Sequence, residues 1–278
     1  QVQNDFGIYW LVCLYADDDI SLCGVCLMRV LDLFSGIGGF SLGLERAGPF
    51  RTVAFCEREP FPQAVLKKHW PEVPIYDDVR TIPTDELGRI DLICGGFPCQ
   101  PWSVAGQQRG AEDDRDLWPV MASLIEKLRP QFVIGENVRG FVNEPLGLKR
   151  SLSDLESIGY QAVPFIIPAC AVGAGHRRDR CWILAHTQSG DIQLKAKRER
   201  GKGIGGRSLY FCGVKGAGGG SGKPCRWLPE PDVGRVAHGV PRRVDRLKAL
   251  GNAIVPQIAE EIGHAIVAAT EGEDYGRI

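Results

Sequence analysis

Between residues 29 and 185 the chain alternates short apolar runs with stretches in which apolar residues return every three to four positions. The runs Arg29 to Phe34, Thr52 to Cys56, Ile90 to Cys94, Phe132 to Gly135 and Cys181 to Ala185 read as buried strands. Phe40 to Ala47, Pro62 to Trp70, Leu117 to Leu128 and Leu148 to Ile158 carry helical spacing. Strand–helix alternation of this kind predicts an α/β fold, with a mostly parallel sheet covered by helices on both faces. Gly48 and Gly159 stand where helices should stop, because glycine tolerates positive φ. Helical periodicity returns over Ala253 to Ala269, a helix expected to pack back on the sheet, with Gly251-Asn252-Ala253-Ile254-Val255-Pro256 at its start.

The pattern is absent from two zones. Residues 1–27 mix aromatic and apolar residues with an acidic patch and show neither clean periodicity nor turn punctuation. They are expected to be a loosely attached or non-native extension, with Met28 a natural start. Cys23 and Cys26 form a lone CxxC there, without a second pair at ligand spacing, so no metal site is expected. The second zone runs from about 187 to 228, where nine basic residues face two acidic ones amid dense glycine, as in Gly216 to Gly222. It reads either as a flexible solvated insertion or as a loop-built surface that follows a phosphate backbone. The expected domains are therefore 28–186, a small region over 187–240, and a C-terminal segment over 241–270.

Of the 278 residues, 44% are hydrophobic and 24% charged, which excludes a disordered chain and a collagen-like repeat. Net charge is −1, so any nucleic-acid-binding surface has to be local. Ile8 to Ala16 is too short an apolar stretch to span a bilayer, which needs about 20 residues, and no basic segment precedes it. No membrane partner is expected. The 10 cysteines are scattered through apolar runs rather than paired in short loops, as expected of free thiols in a reducing compartment, with cytoplasm the default.

Chemistry-bearing residues gather where strands end. The first strand runs into DLFSGIGGF, whose Ser35, Gly36, Gly38 and Gly39 form a glycine-rich turn before a helix. Bare backbone and a helix N-terminus suit a bound ligand there. Glu57 ends the next strand about 20 residues on, where an acid accepts hydrogen bonds from ribose hydroxyls. These features fit a nicotinamide dinucleotide or another adenosine cofactor, but the glycines depart from GxGxxG, which tilts away from a dinucleotide. A later strand ends in GGFPCQPWS, placing Cys99 in a Gly/Pro loop at the ligand edge, where a thiolate is favoured. Glu136-Asn137-Val138 comes to the same edge, and a carboxyl buried there has a raised pKa and acts as an acid at neutral pH. In His176-Arg177-Arg178-Asp179-Arg180, Arg178 and Arg180 occupy alternate positions and are expected to point to one side of an extended chain.

The succession DLFSGIGGF, Glu57, Asp78-Val79, GGFPCQPWS, GENV, HRRDR and GNAIVP resembles the cytosine-5 DNA methyltransferase family, bacterial or phage type, over roughly residues 28 to 268. The resemblance implies a Rossmann-like sheet with helices on both faces, S-adenosylmethionine as methyl donor, and a small, loop-rich target-recognition region in the place of the basic block. It implies that Phe34 stacks on or near the adenine and Glu57 holds the ribose. Asp78 and Val79 border the adenine, Asn252, Ala253 and Ile254 line the donor site, and Ser35, Gly36, Gly38, Gly39 and Pro98 complete it. Cys99 is implied as the nucleophile that adds to carbon 6 of cytosine, and Glu136 as the proton or hydrogen-bond donor to ring nitrogen 3. Arg178 binds the ring carbonyl oxygen or orients Glu136, and Arg180 supports the same site. Gln100, Ser103, Asn137 and Val138 are expected to meet the substrate DNA. The family often has Gln where His176 stands and proline where Gly175 stands, and the stretch from Val233 to Asp245 is a weak copy of the motif that usually precedes the last one.

The expected activity is therefore transfer of a methyl group from S-adenosylmethionine to a cytosine flipped out of duplex DNA. It would serve restriction–modification or protection of phage DNA, with a cognate restriction endonuclease as partner and a monomer as the working state. The alternatives are an RNA (tRNA) cytosine-5 methyltransferase and a non-catalytic DNA-binding relative. A nicotinamide oxidoreductase explains neither PCQ nor ENV.

Overall fold

The computed structural model describes residues 27–98, 116–143, 147–187 and 243–274. The N-terminal extension with its CxxC and the basic, glycine-rich block lie outside the described residues.

Seven strands form one sheet: β1 (Met28–Leu33), β2 (Phe50–Cys56), β3 (Ile75–Tyr76), β4 (Leu92–Gly95), β5 (Phe132–Val138), β6 (Tyr160–Pro168) and β7 (Asp179–Thr187). Their spatial order is β3-β2-β1-β4-β5-β7-β6. The pairings from β3 through β5 are parallel, whereas β7 runs antiparallel to both β5 and β6. The sheet is thus mostly parallel, as the alternation predicts, and Rossmann-like, as the resemblance implies. Chain order reverses between β1 and β4, which opens a crevice at the carboxyl ends of these strands.

Apolar alternation along the central strands feeds two cores. Val30, Leu92, Phe132 and Ile134 pack on one face, and Leu31, Leu33, Ile93 and Val133 on the other. The first face is covered by α1 (Gly39–Ala47) and α6 (Pro256–Asp274), through Phe40, Leu44, Ile258 and Ile266. The second is covered by α3 (Trp118–Leu128) and α4 (Leu148–Ser157), through Trp118, Met121, Ile125 and Leu155. Each fully buried side chain of this size contributes about 1.5–3 kcal/mol relative to exposure.

Two more helices border the crevice, α2 (Pro60–His69) and α5 (Arg243–Asn252). Pro60 and Pro256 stand at first helical positions, where the missing N–H costs nothing. Gly48 (φ 146°) follows α1 and Gly159 (φ 90°) follows α4, as their places in the sequence predict. The expected start of the last helix needs correction: Gly251 and Asn252 stand at or beside the end of α5, and the last helix begins at Pro256. Pro256 fixes φ for a first turn and disfavours helical geometry at Val255. Among the described residues no helix is long and apolar enough to cross a membrane.

Candidate active site

A cleft of about 690 Å³ opens at the carboxyl edge of β1, β2, β4 and β5. The loops after four parallel strands deliver Phe34 and Gly36, Glu57, Asp78 and Val79, and Phe97 and Pro98 to its wall. The end of β5 adds Glu136, Asn137 and Val138, and α5 adds Asn252.

The glycine-rich turn is built for close approach. Phe34 and Gly36 both have φ of 53°, and a Cβ added at Gly36 would meet nothing within 4 Å. Gly36 N–H donates to Glu57 Oε2 at 2.7 Å, and Glu59 N–H donates to Oε1 at 2.7 Å. The carboxylate is thereby fixed at the cleft wall, with lone pairs left for further donors. Gly38 (φ 83°) is enforced twice, since a Cβ there would lie 2.6 Å from the Trp70 ring. Ser35, Gly38 and Gly39 do not border the cleft but shape the turn. Ser35 Oγ donates to the Asp32 carbonyl at 2.6 Å, and Gly39 leaves room for Ile254, whose Cγ1 would lie 2.7 Å from an added Cβ.

Beneath the turn, Asp32 is fully buried and accepts from Ser41 Oγ at 2.7 Å. Burial pushes its carboxyl up to about 7, against the lowering effect of the Ser41 hydrogen bonds.

On the opposite wall, Glu136 is 8% exposed and its Oε1 lies 3.1 Å from Arg180 Nε. Strand register explains the meeting. Arg180 stands opposite Val138, two residues from Glu136, so the two charged side chains are diagonal neighbours on one face. Because β7 is antiparallel to β5, its first residues reach the edge where β5 ends. Burial raises Glu136 to about 7, opposed by the charges of Arg180 and Arg178. A carboxyl so poised is protonated in a large fraction of molecules near neutrality and can donate a proton. Asn137 turns inward instead, donating from Nδ2 to the Phe97 carbonyl at 3.0 Å and bracing the loop that ends at Pro98.

The expected alternation of Arg178 and Arg180 does not hold. Arg178 precedes β7 with φ 37°, and although the charges of both arginines act on Glu136, their hydrogen bonds go to different elements. Arg178 Nη2 donates to the carbonyls of Gly251 and Ala253, at 2.7 and 2.8 Å. Asp179, between them, accepts from Arg177 at 3.0 Å and from Arg139 at 2.8 Å. Ala253 and Ile254 stand behind the cleft rather than in its wall. Cys99, Gln100 and Ser103 lie outside the described residues. Cys56 is the one cysteine bordering the cleft among the described residues, and burial followed by the Glu57 charge pushes its thiol up to about 12.

Several wall residues escaped the sequence reading: Glu59, Asp77, Asp245 and Lys248. Lys248 Nζ meets Glu59 Oε2 at 3.0 Å and joins α5 to the start of α2. A signal was present, since Asp245, Lys248, Ala249 and Asn252 fall on one helical face.

Known proteins are similar to this chain in sequence and in fold. Type II methyltransferase M.AplI of Arthrospira platensis is 36% identical over 158 residues, 56% of this chain and 45% of that protein. Type II methyltransferase M2.BsuMI of Bacillus subtilis is 39% identical over 165 residues, 57% of this chain and 42% of its own length. The chain thus spans less than half the length of these two relatives. Among solved structures, an E. coli prophage-encoded protein assigned as a DNA modification methyltransferase superposes with a TM-score of 0.51 at 28% identity, over 58% of this chain and 47% of that one. A Spodoptera frugiperda DNMT2 variant shares the fold, with a TM-score of 0.53 at 22% identity over 60% and 52% of the two chains. The family model described as C-5 cytosine-specific DNA methylase matches residues 28–203, and the chain belongs to that family.

Proposed function

We propose that this protein transfers a methyl group from S-adenosylmethionine to carbon 5 of a cytosine flipped out of duplex DNA, through a covalent bond to Cys99. The observation that carries the reading is one cleft with two unlike walls. An aromatic ring, an open glycine and an anchored carboxylate (Phe34, Gly36, Glu57) face a buried acid on an arginine (Glu136, Arg180). The first set fits an adenosyl group: Phe34 offers a ring face, Glu57 accepts from ribose hydroxyls, and the space beside Gly36 leaves main chain approachable. When bound, the donor supplies an electrophilic methyl group.

The chain's residues prepare the base to receive it. Carbon 5 of cytosine is a weak nucleophile. The Cys99 thiolate forms a bond to carbon 6, and the displaced electron pair is drawn toward ring nitrogen 3, where Glu136 delivers its proton. Arg180 holds Glu136 and stabilises the carboxylate left behind. After carbon 5 has gained the methyl group, loss of its proton to a base expels the Cys99 thiolate, and nitrogen 3 returns its proton to the Glu136 carboxylate, which restores the ring and the acid. Carbon 6 is inaccessible in a stacked duplex, so the base has to leave the helix, at a cost of a few kcal/mol. The basic block over 187–228 is proposed as the surface that reads and holds the DNA. The Type II methyltransferases among its relatives support a role in restriction–modification, for which a cognate endonuclease is the proposed functional partner.

The test is trapping on duplex DNA containing 5-fluorocytosine with S-adenosylmethionine present. Fluorine cannot leave as a proton does, so the parent protein should form a stable adduct and Cys99→Ser none. Equal adducts in both would disprove the nucleophile, and no adduct with the parent on any duplex would disprove the reading.

A further inference from the structure

The turn 177–180 sends successive arginines to different elements. Arg180 goes to Glu136 in β5, Arg177 to Asp179 at the start of β7, and Arg178 to the end of α5 and the linker that follows it. One Arg178 nitrogen serves two main-chain carbonyls, Gly251 at 2.7 Å and Ala253 at 2.8 Å. To reach them the residue adopts φ 37°, a left-handed geometry that side-chain-bearing residues seldom take. The linker it grasps has two duties on the other side of the cleft. Asn252, between the two bonded carbonyls, lines the wall, and Ile254 seats against Gly39 at the start of α1. The carbonyls near the end of α5 would otherwise be left to water.

We infer that Arg178 is a positioning residue: it fastens the linker that walls the adenosyl side of the cleft to the turn that presents Arg180 to Glu136, and so sets affinity for the cofactor rather than touching the target base. This rests on the functional reading above. With the strap in place, the Asn252 wall and the glycine turn are held in register before any ligand arrives. Without it, binding has to order the linker, and affinity falls by the fraction of molecules in which it is already ordered. The base side is served chiefly by Arg180, which reaches Glu136 through strand register, while Arg178 acts on that carboxyl through its charge.

The experiment is calorimetric titration of the full chain with S-adenosylhomocysteine, which needs no turnover. Arg178 is partly exposed, so Arg178→Gln leaves the core packing intact. Arg178→Gln should weaken binding about tenfold, equivalent to about 1.4 kcal/mol, and raise the KM for the methyl donor more than it lowers kcat. Arg178→Lys keeps a cationic donor for the carbonyls and should stay within about threefold of the parent. Arg180→Gln should bind the probe like the parent while losing turnover. Ile254→Ala loosens the same linker at its Gly39 end, and its loss should be less than additive with that of Arg178→Gln. Parent-like binding by Arg178→Gln, equal losses for glutamine and lysine, or strict additivity with Ile254→Ala would each overturn the inference while leaving the functional reading standing. Failure of the parent itself to bind the probe would overturn both.

Discussion

Arg180 Nε sits 3.1 Å from Glu136 Oε1, and the pair is set by register alone, two positions apart across the antiparallel β5–β7 ladder. The arginine lowers a carboxyl that burial has pushed up to about 7, so the two effects compete in one place. Removing the charge in Arg180→Gln should therefore raise the Glu136 pKa further, read by carbon-13 NMR of labelled glutamate carboxyls. A downward move would show that the arginine does not govern the acid. In the proposed reaction the protonated form is the donor, so turnover should fall as pH rises through Glu136's titration, and Glu136→Gln should lose about 10²–10⁴-fold. A raised acid contributes stability that is fully present below its unfolded value near 4.5 and is lost as pH rises through about 7. Glu136→Gln should flatten that part of the stability curve.

Asp32 places a second such carboxyl under the glycine-rich turn, fully buried and raised from 3.8 to about 7. Its stability contribution has the same sign, present below about 4 and lost as pH rises through about 7. Asp32→Asn keeps an acceptor for Ser41 and cannot ionise. The gap between variant and parent in urea midpoint should therefore shift toward the variant from pH 5.5 to pH 8.5. A gap constant with pH would show that Asp32 does not titrate in this range.

Much of this architecture was legible because buried parallel strands are apolar runs and their covering helices are amphipathic. The runs around Leu31, Ile93, Val133 and Ile183 all became central strands. What escaped lacked that signature. β3 has two residues, too few to show a period. β6 contains Pro164 and ends at Pro168, which marks an edge strand but reads locally as a break, and Phe165 and Ile166 are exposed. α5 exposes Val244, Leu247 and Leu250, so its apolar spacing follows no core. In the site, motif order brought Phe34, Glu57, Asp78 and Glu136 to one edge, because each follows or ends a parallel strand. That Arg178 bonds Gly251 and Ala253 while Arg180 meets Glu136 was not legible, since Arg178 lies outside the strand with a positive φ.

Glu57 is anchored through both oxygens by main-chain donors, Gly36 N–H and Glu59 N–H. Glu57→Gln retains one acceptor and turns an NH₂ toward the other donor, so one anchor is lost. Binding of S-adenosylhomocysteine should weaken at least about tenfold, in keeping with the roughly 1.5–3 kcal/mol typical of hydrogen bonds to charged groups. Thermal stability should change little, because the carboxylate faces the cleft rather than either core. Unchanged affinity would remove Glu57 from the cofactor wall.

Gly43 closes α1 against α6. A Cβ there would drive into the Pro256 carbonyl and lie 2.8 Å from Ala259 Cβ, while a Cβ at Gly263 would lie 2.6 Å from Ala47 Cβ. The two glycines let the helices approach closely, and that approach brings Ile254 onto Gly39 and seals the first core with Ile258 and Ile266. Main chain cannot yield as a flexible side chain does, so Gly43→Ala has to separate the helices despite alanine's better helix propensity. Overpacking of this kind costs about 1–3 kcal/mol, and each kcal/mol lowers Tm by roughly 2–4 °C in a chain of this size. Gly140→Ala is the control, since nothing stands within 4 Å of its added Cβ and its φ is not in the left-handed region. Calorimetric melting should show a clear drop for Gly43→Ala and little change for Gly140→Ala. Equal Tm values would mean that α6 docks without the close approach that seats Ile254 on Gly39.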